Sequence, residues 1–173
     1  MIPCRDRDPT PLPRTVEQGG FDLSDDPRAE LRALLGSCVA ICLHDPEARL
    51  GGMTHTVWTH TGRLGSALPL YEYERLYNEM AKRGARRDRL RASVVGGAAL
   101  LGGRRRHGLD LGRVTLDMLI HEGVAVDEVA LGGPRARQVR FLPATGDLRI
   151  EAVDTAPPER RGGPPIVPGV ELF

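Results

Sequence analysis

Five apolar residues, Val39-Ala40-Ile41-Cys42-Leu43, stand between Gly36 and Pro46. The run is short and partly β-branched, so it reads as a buried strand, and it is far too short to span a bilayer. His44-Asp45-Pro46-Glu47-Ala48 follows as a turn, with Pro46 blocking continuation. Gly51 to Trp58 then alternates, placing Met53, His55 and Val57 on one face and Thr54 and Thr56 on the other. Two such segments joined by a short turn can pair as antiparallel neighbours.

The rest of the chain extends this reading. Val139 and Phe141 alternate with Arg140, and Leu148, Ile150 and Ala152 alternate with Arg149 and Glu151. Pro143-Ala144-Thr145-Gly146-Asp147 makes a hairpin loop between them. Two helices are legible. Leu70, Tyr73, Leu76, Tyr77 and Met80 recur at helical spacing, with Gly84 as C-terminal stop. Leu111, Val114 and Met118 repeat the pattern, with Asp110 as N-cap and Gly123 as stop. Strands around two separated helices predict an α+β fold with the helices on one face of a sheet. The length of 173 residues suits one domain. Residues 1–14, rich in proline and charge, read as a disordered arm, 15–155 as the folded domain and 156–173 as a Pro/Gly-rich tail.

Composition narrows the function. The N-terminus lacks a signal peptide's apolar stretch, which points to the cytoplasm. Net charge is +1, so there is no global attraction to nucleic acid or anionic lipid. Aromatics are 4% of residues, too few for base-stacking platforms. The clusters Arg86-Arg87-Asp88-Arg89 and Arg104-Arg105-Arg106-His107 read as solvated surface.

Three cysteines, Cys4, Cys38 and Cys42, are an odd count that argues against a disulfide framework. Cys38 stands where the buried strand begins, after the flexible Gly36, as a nucleophile is often held. Across an antiparallel pair, His55 can meet it and draw off the thiol proton, lowering a pKa of ~8.5. The pair is expected within about 4 Å. Cys42 is expected to be buried and inert, and Cys4 to lie in the arm. A buried cysteine and a hydrogen-bonded core histidine are the bland alternative. Zinc is disfavoured, because Cys38 and Cys42 on one strand stand ~13 Å apart and two thiolates ~2.3 Å from one ion cannot.

Several ordered blocks resemble the CheD family, the receptor-modifying glutamine deamidases of bacterial chemotaxis. They are Leu35 to Pro46 around Cys38, Gly51-Gly52-Met53-Thr54-His55, Gly84 to Leu90 followed by Val94-Val95-Gly96-Gly97-Ala98, Leu131 to Phe141, and Pro143-Ala144-Thr145-Gly146. The resemblance implies a three-layer α/β/β sandwich with a largely antiparallel sheet. It implies hydrolysis of chemoreceptor glutamines to glutamates with release of ammonia, Cys38 as nucleophile and His55 as base, and no cofactor or metal. It also implies the receptors' cytoplasmic domains as partners, with a CheC-type phosphatase as a further one, and neither nucleic acid nor membrane insertion.

One position departs from the family pattern. A threonine usual five or six residues before the nucleophile is replaced by Arg32 and Ala33. Histidine bases need a partner on the other ring nitrogen, and a backbone carbonyl can serve. Asp26-Pro27 adds a helical signal, so the segment before Cys38 is expected to differ from the family's strand. The competing reading is a non-catalytic CheD-like protein that binds receptor or a CheC-type phosphatase.

Overall fold

In the computed structural model, which describes residues 10–57, 67–100 and 107–154, the apolar run forms strand β4 (Val39–Asp45). Its side chains divide between two cores. Val39, Ile41 and Leu43 join Tyr73, Leu76, Met80, Leu111 and Leu119. Ala40 and Cys42, with Cys38 just before the strand, join Leu31, Leu35, Met53, Val139 and Phe141. A strand filled on both faces has no polar side, which is why this stretch does not alternate.

Two sheets and one helical layer are built around it. The five-stranded sheet runs β2 (Phe21–Ser24), β5 (Leu50–Thr54), β4, β6 (Arg91–Gly96), β7 (Ala125–Leu131). The four-stranded sheet runs β1 (Leu12–Thr15), β3 (Ala29–Leu35), β8 (Ala136–Leu142), β9 (Asp147–Val153). Helices α1 (Ala67–Ala81) and α2 (His107–His121) pack on the five-stranded sheet, and the four-stranded sheet covers its other face. This is the expected α/β/β sandwich with helices on one side. The pairing is mostly antiparallel, with one parallel pair in each sheet, β1–β3 and β6–β7. The second needs a crossover, and α2 supplies it.

Most expected elements are present, including the β8–β9 hairpin with Gly146 at φ 80° and the turn after α1 with Gly84 at φ 95°. Three details differ. The segment before Cys38 is strand β3, not helix. Asp26 accepts the Arg28 N–H at 2.8 Å and its carbonyl accepts that of Ala29, closing a single turn. Leu31, Ala33 and Leu35 then alternate inward, and burial along that face outweighs the local helical signal. Helix α2 begins at His107, so Asp110 lies in its first turn instead of capping it, still where a negative charge suits the helix dipole. Leu12 to Arg14, within the stretch expected as an arm, are strand β1, paired with Ala29 to Leu31. Cys4, Trp58, His60, Arg104 to Arg106 and the C-terminal tail lie outside the described residues.

The first arginine cluster is more than solvated surface. Arg87 joins Glu74 of α1 to Glu122 beyond α2, and Arg89 reaches Asp45 and Glu47 in the β4–β5 turn. Among the described residues no helix is long and apolar enough to cross a membrane, and no three His, Cys, Asp or Glu side chains gather to hold a metal ion.

Candidate active site

Cys38 immediately precedes β4, where the chain arrives from β3 of the other sheet through Gly36-Ser37. The turn is held by close backbone contacts. Gly97 N–H donates to the Cys38 carbonyl and Ala98 N–H to that of Gly36, each at 2.8 Å. Gly96 stands at φ 123°, and a Cβ there would lie 2.1 Å from the Cys38 carbonyl oxygen. Gly108, in the first turn of α2, is also closely placed: a Cβ would lie 2.7 Å from the Ser37 carbonyl oxygen. Only glycine permits these approaches. The Gly96-Gly97 pair and Gly108 thus bring the positive end of the α2 dipole against the residue before Cys38.

The β4–β5 ladder pairs Cys42 with Met53 and reaches an isolated bridge between Val39 and Thr56. In that register His55 is opposite Ala40, one diagonal step from Cys38. The expected faces hold. Met53 is in the inter-sheet core with Cys38 and Cys42. Thr54 and Thr56 point the other way, Thr54 accepting the Ile41 N–H at 3.1 Å and Thr56 meeting Glu72 of α1. Cys38 is 7% exposed and His55 4%.

What holds His55 is the segment between β1 and β2. His55 Nδ1 lies 2.9 Å from the carbonyl oxygen of Val16. A carbonyl only accepts, so Nδ1 carries the proton of the neutral ring and Nε2 presents a lone pair. The His55 N–H donates to the Gly20 carbonyl at 3.0 Å, and its own carbonyl accepts the Gly19 N–H at 2.8 Å. Val16 is fixed in turn, donating its N–H to the Arg32 carbonyl at 2.8 Å. Val16 to Gly20 therefore grip His55 at three points. The backbone carbonyl of Val16, itself tied to Arg32, thus stands at the His55 ring where no threonine hydroxyl is available at positions 32 and 33.

His55 Nε2 is buried and, among the described residues, has no hydrogen-bond partner. Cys38 and His55 share a face, yet no hydrogen bond closes the pair in this geometry. Burial pushes the Cys38 thiol up, opposed by its own backbone N–H. The raised thiol keeps its proton more firmly than an ordinary cysteine. Burial, aided by the charge of Glu128, pushes the Cys42 thiol much further up. Cys42 is buried in the core, as expected.

Two residues escaped the sequence reading. Val16 acts through its backbone and has no side-chain signature; Gly19-Gly20 was its only hint. Glu72 is an acid on the buried stripe of α1, flanked on that face by Pro69 and Leu76.

A family model described as CheD chemotactic sensory transduction matches residues 71–152. A protein of Caulobacter vibrioides named "Probable chemoreceptor glutamine deamidase CheD" is 39% identical over 163 residues, covering 90% of this chain and 87% of its own. Proteins of the same name from Acidiphilium cryptum and Agrobacterium fabrum are 38% and 34% identical, each covering 91% of this chain and 92% and 94% of their own. Among solved structures, the hypothetical protein YfiH of Bacillus licheniformis matches with a TM-score of 0.47 and 16% identity, over 72% of this chain and 61% of that one. By the identity and extent it shares with the curated relatives, this chain belongs to the CheD family.

Proposed function

We propose that this protein hydrolyses glutamine side-chain amides on the cytoplasmic domains of chemoreceptors to glutamates, with Cys38 as nucleophile and His55 as general base. The observation that carries the reading is the buried Nε2 of His55, without a partner among the described residues, its lone pair set by the Val16 carbonyl on the face it shares with Cys38. An orphaned polar atom in a core is costly unless something uses it. A proton leaving Cys38 during reaction is such a use.

The steps follow from these positions. Nε2 takes the Cys38 proton as the sulfur attacks the amide carbon, and the carbonyl oxygen becomes an oxyanion. The oxyanion forms near the Cys38 N–H and the positive end of α2. His55 returns the proton to the departing nitrogen, releasing ammonia and leaving a thioester. A water then gives a proton to Nε2 and its hydroxyl to the thioester carbon. The acid departs as glutamate and the proton goes back to sulfur. A CheC-type phosphatase is a further partner in this reading, carried by family resemblance alone.

The test is to incubate the full chain with glutamine-bearing receptor fragments and follow a mass gain of about one dalton per site, the signature of amide hydrolysis. The gain is expected with wild type and absent with Cys38→Ala. Wild type that binds the fragments without converting them overturns the enzyme reading in favour of a binding module.

A further inference from the structure

The reaction described above leaves the buried carboxylate of Glu72 unused. It stands on the face of α1 that packs against the sheet, where an acid loses hydration and needs a partner. Thr56 is that partner, its hydroxyl donating to the Glu72 carboxylate. Thr56 is also joined to Val39 by two backbone hydrogen bonds, of 2.7 and 2.9 Å. Thr56 follows His55 in sequence, and Val39 follows Cys38. The carboxylate therefore holds the bridge that keeps candidate base and candidate nucleophile in register.

We propose that Glu72 is a positioning residue of this site. Its carboxylate holds Thr56, and its negative charge, on the far side of the strand, stabilises the His55 imidazolium that forms when the thiol gives up its proton. The proposal rests on the reading of Cys38 and His55 as a reacting pair.

The surroundings fit such a role. The charged and titratable groups that act on Glu72 are Arg75 on its own helix and His55 across the strand. Arg75 lies over the rings of Phe21 from β2 and Tyr71 from α1, at 5.0 and 5.5 Å. By the strand register, His55 shares with Cys38 the face turned toward the inter-sheet layer. Burial raises the Glu72 carboxyl above the ordinary range, and Thr56, Arg75 and His55 each oppose that rise. Where Glu72 is ionised, its buried charge acts on an adjacent imidazole with little screening.

The experiment titrates the His55 ring by NMR and measures Cys38 alkylation by peptide mapping, in wild type, Glu72→Gln and Glu72→Asp, with melting temperatures alongside. Glu72→Gln keeps the shape and an acceptor but loses the charge. It is expected to move the His55 titration to lower pH and to slow Cys38 alkylation at neutral pH roughly three- to tenfold. Glu72→Asp, which keeps the charge, is expected to restore most of the wild-type titration. Should Glu72→Gln fail to fold, Thr56→Val asks the same question, because a buried carboxylate stripped of its hydroxyl partner takes up a proton and loses its charge. An unchanged His55 titration in whichever neutralising variant folds overturns the proposal. Deamidation is read separately. A shifted titration together with a wild type that converts no receptor fragment refutes the proposed reaction and leaves the role of Glu72 standing.

Discussion

The two ends of β4 carry polar groups of opposite character. At its C-terminal end Asp45 is fully buried and fully used. Its carboxylate accepts the N–H groups of Glu47, Ala48 and Arg86 at 2.9–3.0 Å, and the Arg89 guanidinium at 2.8 and 3.0 Å. Beside the other end, opposite Ala40, His55 has one ring nitrogen bound to a carbonyl and the other, among the described residues, without a hydrogen-bond partner. A saturated buried charge fixes the fold, since every lone pair is spent on local structure. An unsaturated one stores a capacity that a substrate can draw on. The same strand thus has an anchored end and an end where the proposed reaction would take place, and substitutions at each should separate stability from activity.

The largest effect belongs to the reactive end. Cys38→Ala and His55→Ala are each expected to lower deamidation by ~10³-fold or more, and the double variant no further, because nucleophile and base act as one unit. Melting temperature on each variant separates lost chemistry from lost folding. His55→Ala carries a second readout. Burial already pushes the Cys38 thiol up, so without the imidazole its alkylation is expected to rise only above a pH of ~8.5, the ordinary thiol value. Rapid alkylation of that variant at neutral pH would show that His55 does not activate the sulfur.

The anchored end should respond in the opposite sense. Asp45→Ala leaves three N–H groups without their acceptor and strips Arg89 of its buried partner, and is expected to cost roughly 3–5 kcal/mol by urea unfolding, with deamidation per folded molecule unchanged. The pH dependence follows from the same contacts. Burial alone would raise the Asp45 carboxyl, but the N–H groups of Ala48 and Arg86 and the Arg89 side chain outweigh it and hold it below the usual range. A depressed folded pKa contributes stability that is present above the unfolded carboxyl's value of ~3.9 and lost as pH falls through the folded value. Wild type is therefore expected to lose stability more steeply than Asp45→Asn on acidification below that value. Parallel curves would remove Asp45 from the anchoring role.

Gly96→Ala tests how far the reactive end depends on backbone fit. A Cβ at φ 123° is strained and meets the Cys38 carbonyl at 2.1 Å, so something must move. A cost of roughly 1–3 kcal/mol is expected from the backbone strain, together with slower Cys38 alkylation. A variant as stable and reactive as wild type would show that the turn yields freely.

The difference between the two ends also explains what the sequence disclosed. Cys38 and His55 were legible because strand alternation fixes their faces and a turn sets their register. Asp45 was readable as a turn residue beside Pro46, but its ties to Arg86 and Arg89 span more than forty residues and have no local pattern. Val16 was hidden for a different reason, since its contribution is a carbonyl that any residue would carry. Glu72 left a trace, an acid at a position where the helical period calls for burial. Asp26-Pro27 misled, because a capped single turn looks locally like the start of a helix, and only the inward alternation of Leu31, Ala33 and Leu35 reveals the strand.

The smallest expected effect concerns the missing threonine. Arg32 lies half-buried on the outer face of the four-stranded sheet, its guanidinium paired with Glu30, while Ala33 faces the inter-sheet core. A threonine at position 32 points away from His55, so Arg32→Thr is expected to leave the deamidation rate unchanged. Ala33→Thr does place a hydroxyl in the layer that holds the pair. It still gains little, because Nδ1 is already satisfied by the Val16 carbonyl and a second acceptor there has no proton left to bind. The rate is expected to stay within about threefold of wild type, below the tenfold that ~1.4 kcal/mol of added transition-state stabilisation would bring. A modest loss of melting temperature should accompany it, since the new hydroxyl is buried among Leu31, Leu35 and Val139. A tenfold or larger gain from Ala33→Thr would mean that the carbonyl holds His55 poorly, and that the reactive end is less well built than its three-point grip implies.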